Sequence, residues 1–299
     1  MSAYTAELGD RKTQSITDRF SAFFEMTKPR IALMLVLTSA AGFYVGSITG
    51  FSVALFFNSM VGIALLAFGV AVLNQFLERD IDGLMQRTSG RPLPTGRVSA
   101  SEALVFGLSL TIAAEAYLFL AVNVLTGFLG LAVIIGYVLM YTPLKRITPA
   151  STAIGAIPGA IPPLMGYAAA SNQITIVSWF LFATLFLWQF PHFLAIAVMY
   201  RDQYRNAGIK MLPVVEADGR LTGNQITLFA LMLMPVSIAP FFFGIAGVVF
   251  LIGAVILGLW FMFASFRMAM ERSDIMARRL LFASVVYLPL YLVLLVVGC

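Results

Sequence analysis

Residues 52–82, SVALFFNSMVGIALLAFGVAVLNQFLERDID, join a long apolar run to a polar end. The apolar part, 52–76, is long enough to cross the hydrocarbon core of a bilayer, which takes a helix of about 20 residues. The polar part begins at Asn74 and continues through Glu78 to Asp82. This stretch predicts a transmembrane helix that ends in a polar site at one membrane face.

Similar apolar runs occupy nearly the whole chain, which has 299 residues, of which 60% are hydrophobic and only 11% charged. This composition excludes a water-soluble globular protein. We expect an all-α integral membrane protein, a bundle with a polar cytoplasmic mouth that forms one transmembrane domain over residues 31–299. About nine transmembrane helices are predicted, at 31–50, 52–76, 102–121, 124–142, 152–170, 174–199, 224–245, 247–266 and 280–298.

The basic residues predict the orientation of these helices. All 19 Lys and Arg residues fall before the first helix or in every second connection, and basic residues are retained on the cytoplasmic side. We therefore expect a cytoplasmic N-terminus and cytoplasmic active-site loops in a bacterial plasma (inner) membrane, with the C-terminus on the opposite side. The net charge of +5 favours anionic headgroups of the lipid bilayer as a partner, and no pattern indicates nucleic-acid binding.

The first 30 residues mix acidic and basic side chains and lack the apolar region of a signal peptide. They are expected to form a solvated cytoplasmic tail. The single cysteine, Cys299, has no partner for an internal disulfide.

Two polar clusters carry the functional prediction. Asn74, Glu78 and Asp82 are spaced four residues apart, which places them on one stripe of a helix, and their oxygen atoms suit Mg²⁺. Arg87 and Arg91 follow, and guanidinium groups bind phosphate oxygens in pairs. The other interpretation of this segment is a solvated helix end with weak surface ion pairs.

The second cluster follows the sixth predicted helix, which should end at the same membrane face. It contains Asp202 with Arg201, Arg205 and Lys210. Two clusters of acids and bases around one mouth predict a site for a diphosphate held between metal ions.

Six short motifs follow one another along the chain. They are Thr27-Lys-Pro-Arg-Ile31, Asn74-x3-Glu78-Arg-Asp-x-Asp82-x4-Arg87-Thr, Arg91-Pro-Leu-Pro, Tyr141-Thr-Pro-Leu-Lys145-Arg, Phe190-Pro-His192-Phe and Tyr204-x3-Ala-Gly-Ile-x-Met-Leu-Pro213. In these motifs the chain resembles the UbiA superfamily of intramembrane prenyltransferases, and the resemblance extends from Thr27 to the last helix.

The resemblance implies a set of site residues. It assigns catalysis to Asn74, Glu78, Asp82, Asp202 and His192, with the first four as metal ligands, and diphosphate binding to Arg87, Arg91, Tyr141, Lys145, Arg201, Tyr204 and Lys210. The second motif departs from the superfamily pattern, because Asn206 stands four residues after Asp202 and Gln203 precedes Tyr204 where acids are usual.

The resemblance also implies an activity and its reactants. The branch that the chain looks like transfers the farnesyl group of farnesyl diphosphate to a vinyl group of haem b, with Mg²⁺ as cofactor and with addition of water, to give haem O and diphosphate. His192, the only histidine, is then predicted to contact haem or to act as a general base. A haem A synthase or a terminal oxidase under assembly is an expected partner.

Three other functions are compatible with the sequence. The same fold could prenylate a quinone precursor or another aromatic acceptor. A secondary transporter would need charges along a transverse path, but only Glu115 and His192 lie at depth in the predicted helices. A passive haem-binding assembly factor would release no diphosphate. For Glu115 we expect a structural hydrogen bond rather than a catalytic role.

Overall fold

The computed structural model describes residues 15–47 and 50–298, and all regular elements in these ranges are helical. One segment, Ile135–Tyr141, is a π-helix. The α-helices, in chain order, are α1 (Ile16–Met26), α2 (Pro29–Gly46), α3 (Val53–Asp82), α4 (Ala100–Ala121), α5 (Val124–Ile134), α6 (Thr142–Leu144), α7 (Ser151–Ser171), α8 (Ile176–Met199), α9 (Arg201–Asn206), α10 (Leu212–Val215), α11 (Arg220–Phe242), α12 (Val248–Glu271) and α13 (Asp274–Gly298).

In the described part of the chain, nine helical stretches are long and apolar enough to cross a membrane. This confirms the predicted nine-helix, all-α membrane fold. The helix ends differ from the prediction, because α3 continues to Asp82 and α13 already begins at Asp274. The 30 residues of α3 make a helix about 45 Å long, so its polar end extends beyond the hydrocarbon core.

The bundle contains two main hydrophobic clusters. One is built mainly by α3, α4 and α7, with Leu66 and Leu118 as fully buried members. The other is built mainly by α8, α11, α12 and α13, with Leu194 and Tyr287 at its centre. Both α2 and α7 contribute side chains to each cluster. These two helices therefore join the halves of the molecule.

Glycine residues allow α2 and α7 to approach closely. A Cβ atom on Gly42 would overlap the carbonyl of Pro163, and a Cβ on Gly166 would overlap the carbonyl of Ser39. The Ser39 hydroxyl donates to the Pro162 carbonyl across the same contact, at 2.8 Å. Packing through small residues is how helices associate where no hydrophobic effect drives them together.

The segment before the first span is more ordered than the sequence analysis expects. Ser15 and Asp18 form a capping box at the start of α1, and Ala22 and Met26 are fully buried. Through Ala22 and Met26, α1 packs against apolar side chains of α3 and α4, while residues 16–21 are exposed; the expectation of a cytoplasmic tail over residues 1–30 stays a prediction. Residues 1–14 and Cys299, on which further expectations fall, lie outside the described residues.

Candidate active site

The polar end of α3 carries three buried oxygen-bearing side chains on one face of the helix. Asn74 is 3% exposed, Glu78 5% and Asp82 1%. Their spacing of four residues gives the common face that the sequence predicts. We call Asn74, Glu78 and Asp82 the oxygen ladder.

Each member of the oxygen ladder is bound by a different cation. The Lys28 ammonium donates to Asn74 Oδ1 at 2.9 Å, Lys145 forms an ion pair with Glu78, and Arg91 donates to Asp82 Oδ2 at 2.7 Å. Buried carboxylates are stable only with such partners. The cations come from the α1–α2 link, the segment after α6 and the α3–α4 loop, so three parts of the chain meet here.

The oxygen ladder retains capacity to bind a cation. Asp82 Oδ1 is buried without a hydrogen-bond partner among the described residues. In those residues no three His, Cys, Asp or Glu side chains are grouped as a metal site. A divalent ion here would therefore take an amide oxygen from Asn74 and complete its shell with water and phosphate oxygens, a mixture that suits Mg²⁺.

The π-helix and the residue that follows it, Thr142, lie beside the oxygen ladder. Thr142 accepts from the Asn74 side-chain amide at 3.2 Å and donates to the Tyr137 carbonyl at 2.8 Å. The Tyr137 and Tyr141 rings lie 5.1 Å apart, and the Lys145 ammonium lies 5.4 Å from the centre of the Tyr141 ring. π-helical turns are rare and occur frequently at functional sites.

Positive charge is crowded at this mouth. Burial, together with the charges of Arg91 and Arg87 and against the opposing effect of Asp82, lowers the pKa of Lys28 to about 7. Burial, together with Lys28 and Arg146, lowers the pKa of Lys145 to about 7. A polyvalent anion would relieve this repulsion and hold both ammonium groups in their charged form. The mouth is thus suited to a diphosphate.

The segment that contains α9 joins the site through Gln203 and Tyr204. The Arg87 backbone N–H donates to Gln203 Oε1 at 3.1 Å, and the Arg87 guanidinium donates to the Tyr204 hydroxyl at 3.1 Å. The guanidinium also lies 5.1 Å from the centre of the Tyr200 ring. Burial raises the pKa of Tyr204, so the phenol keeps its proton and can donate it to an anion.

The structure does not bring Asp202 to the oxygen ladder. Its side chain is 79% exposed and forms an ion pair with Arg205 at 2.9 Å. Successive residues of a helix are about 100° apart, so the inward position of Tyr204 turns Asp202 outward. Arg201 and Lys210 are likewise exposed, and only the backbone N–H of Lys210 takes part, donating to the Lys145 carbonyl at 2.8 Å.

His192 lies on α8, outside the oxygen ladder, and its side chain contacts α13. Its ring stacks on Trp188 at 4.7 Å, and Nδ1 lies 2.7 Å from the Ser284 hydroxyl. That hydroxyl donates its one proton to the Leu281 carbonyl at 2.6 Å. In the neutral ring Nδ1 must therefore donate to Ser284, which leaves a lone pair on Nε2.

Sequence reasoning missed three contributors to the site. Lys28 lies in the motif Thr27-Lys-Pro-Arg-Ile31, but the sequence analysis assigned it no role. Its position in that motif was the signal that could have identified it. Thr142 stands inside the motif that begins at Tyr141, and Gln203 was noted only as a departure from the superfamily pattern; neither was given a role. The structural hydrogen bond expected for Glu115 is wrong, since both of its carboxylate oxygens are buried against Gly130 without a hydrogen-bond partner in the described ranges.

The fold and the site together describe an integral membrane protein whose mouth combines buried oxygen ligands with basic side chains. The model of the UbiA prenyltransferase family matches residues 35–286. The chain therefore belongs to the UbiA prenyltransferase family and is an integral membrane prenyltransferase, which confirms the family predicted from its motifs.

Curated relatives agree with this assignment, and a solved structure has the same fold. Protoheme IX farnesyltransferase of Solibacter usitatus is 45% identical over 277 residues, which are 90% of this chain and 95% of the relative. Protoheme IX farnesyltransferase of Salinibacter ruber is 43% identical over 91% of this chain and 96% of its own. The UbiA homologue of Archaeoglobus fulgidus bound to GPP and Mg²⁺ has a TM-score of 0.68 at 18% identity, covering 92% of this chain and 99% of that one.

Proposed function

We propose that this chain transfers the farnesyl group of farnesyl diphosphate to a vinyl group of haem b, with addition of water, to form haem O and diphosphate. Relatives named protoheme IX farnesyltransferase match over about nine tenths of the chain. The single observation that carries the proposal is the oxygen ladder surrounded by Lys28, Lys145 and Arg91. It supplies both the oxygen ligands for a metal and the cations for a diphosphate.

We assign Mg²⁺ to Asn74, Glu78 and Asp82, and leave Asp202 outside the first set of ligands because of its exposed position. The unpartnered Asp82 Oδ1 supports this assignment. When bound, the ion would supply positive charge to the diphosphate of the substrate.

The basic residues of the mouth are proposed to stabilise the leaving group. Breaking the bond between C1 of the farnesyl group and the diphosphate oxygen leaves an allylic cation and moves negative charge onto the diphosphate. Lys28, Lys145, Arg87 and Arg91 would bind that charge, since preorganised cations in a water-poor site stabilise it strongly. Tyr204 would add a phenol hydrogen bond.

Aromatic side chains on α8 are our candidates for the wall that faces the allylic cation. Phe182, Phe186 and Phe190 follow one another at four-residue spacing, and Phe190 stacks on Phe229 of α11 with ring centres 3.6 Å apart. Phe182 packs against both hydrophobic clusters, so it lies at the junction of the two halves. Ring faces stabilise cations without attacking them.

We assign the haem contact to His192. The cation adds to the terminal vinyl carbon of haem, water adds to the adjacent carbon, and one proton leaves. The lone pair on Nε2, set by the Ser284 hydrogen bond, is available either to bind the haem iron or to accept that proton.

The orientation is also part of the proposal. The basic residues within the described ranges lie at the helix ends that flank the mouth, which favours a cytoplasmic mouth in the bacterial plasma membrane. Haem O would then pass to a haem A synthase or a terminal oxidase under assembly.

The test is a reaction of the purified protein with haem b, farnesyl diphosphate and Mg²⁺, in which porphyrin mass and released diphosphate are measured together. A gain of one farnesyl group plus one water, with an equal amount of diphosphate, supports the proposal. Diphosphate release with an unchanged porphyrin would instead indicate a different acceptor.

A further inference from the structure

A groove on the outer surface of the bundle lies far along the chain from the oxygen ladder. It runs between α12 and α13 with a cavity volume of about 450 Å³. Three arginines and three aromatic residues dominate its lining: Arg267, Arg278, Arg279, Trp260, Phe263 and Phe282. The proposed transfer chemistry uses none of these residues.

The arginines and the aromatic residues occupy different depths. On α12, Phe263 and Trp260 precede Arg267 by one and two turns, so they lie about 6 Å and 10 Å deeper in the membrane. On α13, Phe282 lies about 5 Å deeper than Arg279. Phe263 is 60% exposed and Phe282 65%. The groove is therefore basic at headgroup level and apolar at acyl-chain level.

The charge at the top of the groove is only partly compensated. Arg267 is paired with Glu271 on its own helix, with Nε 2.7 Å from Oε1. Arg278 and Arg279 are exposed, and neither forms an ion pair or hydrogen bond within the described ranges, not even with Asp274 one turn before. Two positive charges remain for a ligand.

A neighbouring groove on the other side of α12 differs in this respect. Arg220 and Arg272 stand at its top, but Arg272 donates to the Asp218 carbonyl at 2.9 Å and Arg220 lies 4.0 Å from the Asp218 carboxylate. Its arginines are thus engaged by the protein itself. The α12–α13 groove therefore has unpaired positive charge that the neighbouring groove lacks.

We propose that the α12–α13 groove binds an anionic phospholipid. The phosphate lies between Arg278 and Arg279, and an acyl chain lies along Phe263 and Phe282. A zwitterionic lipid such as phosphatidylcholine would bring its own ammonium group close to the two arginines, whereas a water-soluble phosphate would leave the aromatic wall uncovered. Basic side chains near a membrane surface attract such lipids.

The test uses the full-length protein, delipidated in detergent and titrated with 1-palmitoyl-2-oleoyl phosphatidylglycerol or with the matching phosphatidylcholine, with bound lipid counted by native mass spectrometry. We expect phosphatidylglycerol to bind at least tenfold more tightly. The double variant Arg278→Gln with Arg279→Gln should lose that preference, while Arg278→Lys with Arg279→Lys should keep most of it.

The matched control is Arg30→Gln with Arg146→Gln, which removes two exposed charges from the same membrane face outside the groove. It should bind phosphatidylglycerol as the unmodified protein does. An equal loss in this control would show bulk attraction rather than a site and would overturn the proposal. So would equal binding of phosphatidylcholine, or displacement of the lipid by glycerol 3-phosphate at comparable concentration, since the latter would show a phosphate site without a lipid groove.

Discussion

At the scale of single residues, Lys28 has an unusual backbone conformation. It adopts a left-handed conformation with φ of 50° directly before Pro29, where the proline disfavours the helical conformation. This break ends α1, starts α2 and directs the ammonium to Asn74. A non-glycine residue in this region is strained, and such strain is often found at functional sites.

Replacing Lys28 by Met keeps an unbranched side chain of similar length and removes the charge. We expect Lys28→Met to lower the turnover of farnesyl diphosphate by about tenfold or more, because one cation facing the leaving group is lost. The measurement is the rate of diphosphate release. Arg30→Met is the control, since Arg30 is exposed two residues away; equal losses in both variants would contradict a specific role for Lys28.

The oxygen ladder makes a second residue-scale prediction. Asp82→Asn should reduce turnover by about 100-fold and raise the Mg²⁺ concentration required, because the carboxylate charge proposed to bind the metal is lost. Asp80→Asn is the matched control, as the Asp80 side chain is 68% exposed on the same helix. Asp202→Asn should have a much smaller effect than Asp82→Asn. A loss as large in Asp202→Asn would place Asp202 among the metal ligands after all.

The His192 assignment separates haem binding from diphosphate chemistry. His192→Ala should weaken haem binding, followed by the haem absorption spectrum, while the affinity for farnesyl diphosphate stays unchanged. Ser284→Ala removes the acceptor that fixes the tautomer, so it should give a smaller change in the same direction. Unaltered haem spectra and product yield in His192→Ala would exclude the proposed contact.

At the scale of helices, the α2–α7 crossing sets the geometry of the bundle centre. A methyl group at Gly42 would overlap the Pro163 backbone, which cannot move independently of its helix. We expect Gly42→Ala to destabilise the protein by about 1–3 kcal/mol, the range for overpacking, and to lower its thermal midpoint in detergent. Gly90→Ala should leave the midpoint unchanged, since a Cβ there meets no atom within 4 Å.

The helices differ in how far the sequence could predict them. The spans followed from apolar length alone, and the position of Asn74, Glu78 and Asp82 on one stripe followed from their spacing. The π-helix before Thr142 could not be predicted, because one extra residue in a helical turn leaves no periodic signal in so apolar a segment. The inward face of α9 was equally undetermined, since six residues carry too little pattern to choose between Asp202 and Tyr204. The site residues on the long helix α3 could thus be predicted from the sequence. The positions of those on the π-helix and on α9 could not.

At the scale of the whole molecule, the basic residues predict which side of the membrane holds the mouth. Their placement at alternate helix ends fits a cytoplasmic mouth under the positive-inside rule. The bundle by itself is compatible with either orientation, because the packing of its helices does not depend on which face meets the cytoplasm. Orientation therefore needs a measurement independent of activity.

Two glutamines allow a matched test of orientation. Gln86 and Gln173 are both exposed and follow α3 and α7, which cross the bundle in opposite directions. In a Cys299→Ser background, Gln173→Cys should react with a membrane-impermeant maleimide in intact spheroplasts. Gln86→Cys should react only after lysis. The reverse pattern would place the mouth outside the cytoplasm and reject the charge argument while leaving the fold intact. Labelling of both before lysis would contradict the transmembrane arrangement of the helices between them.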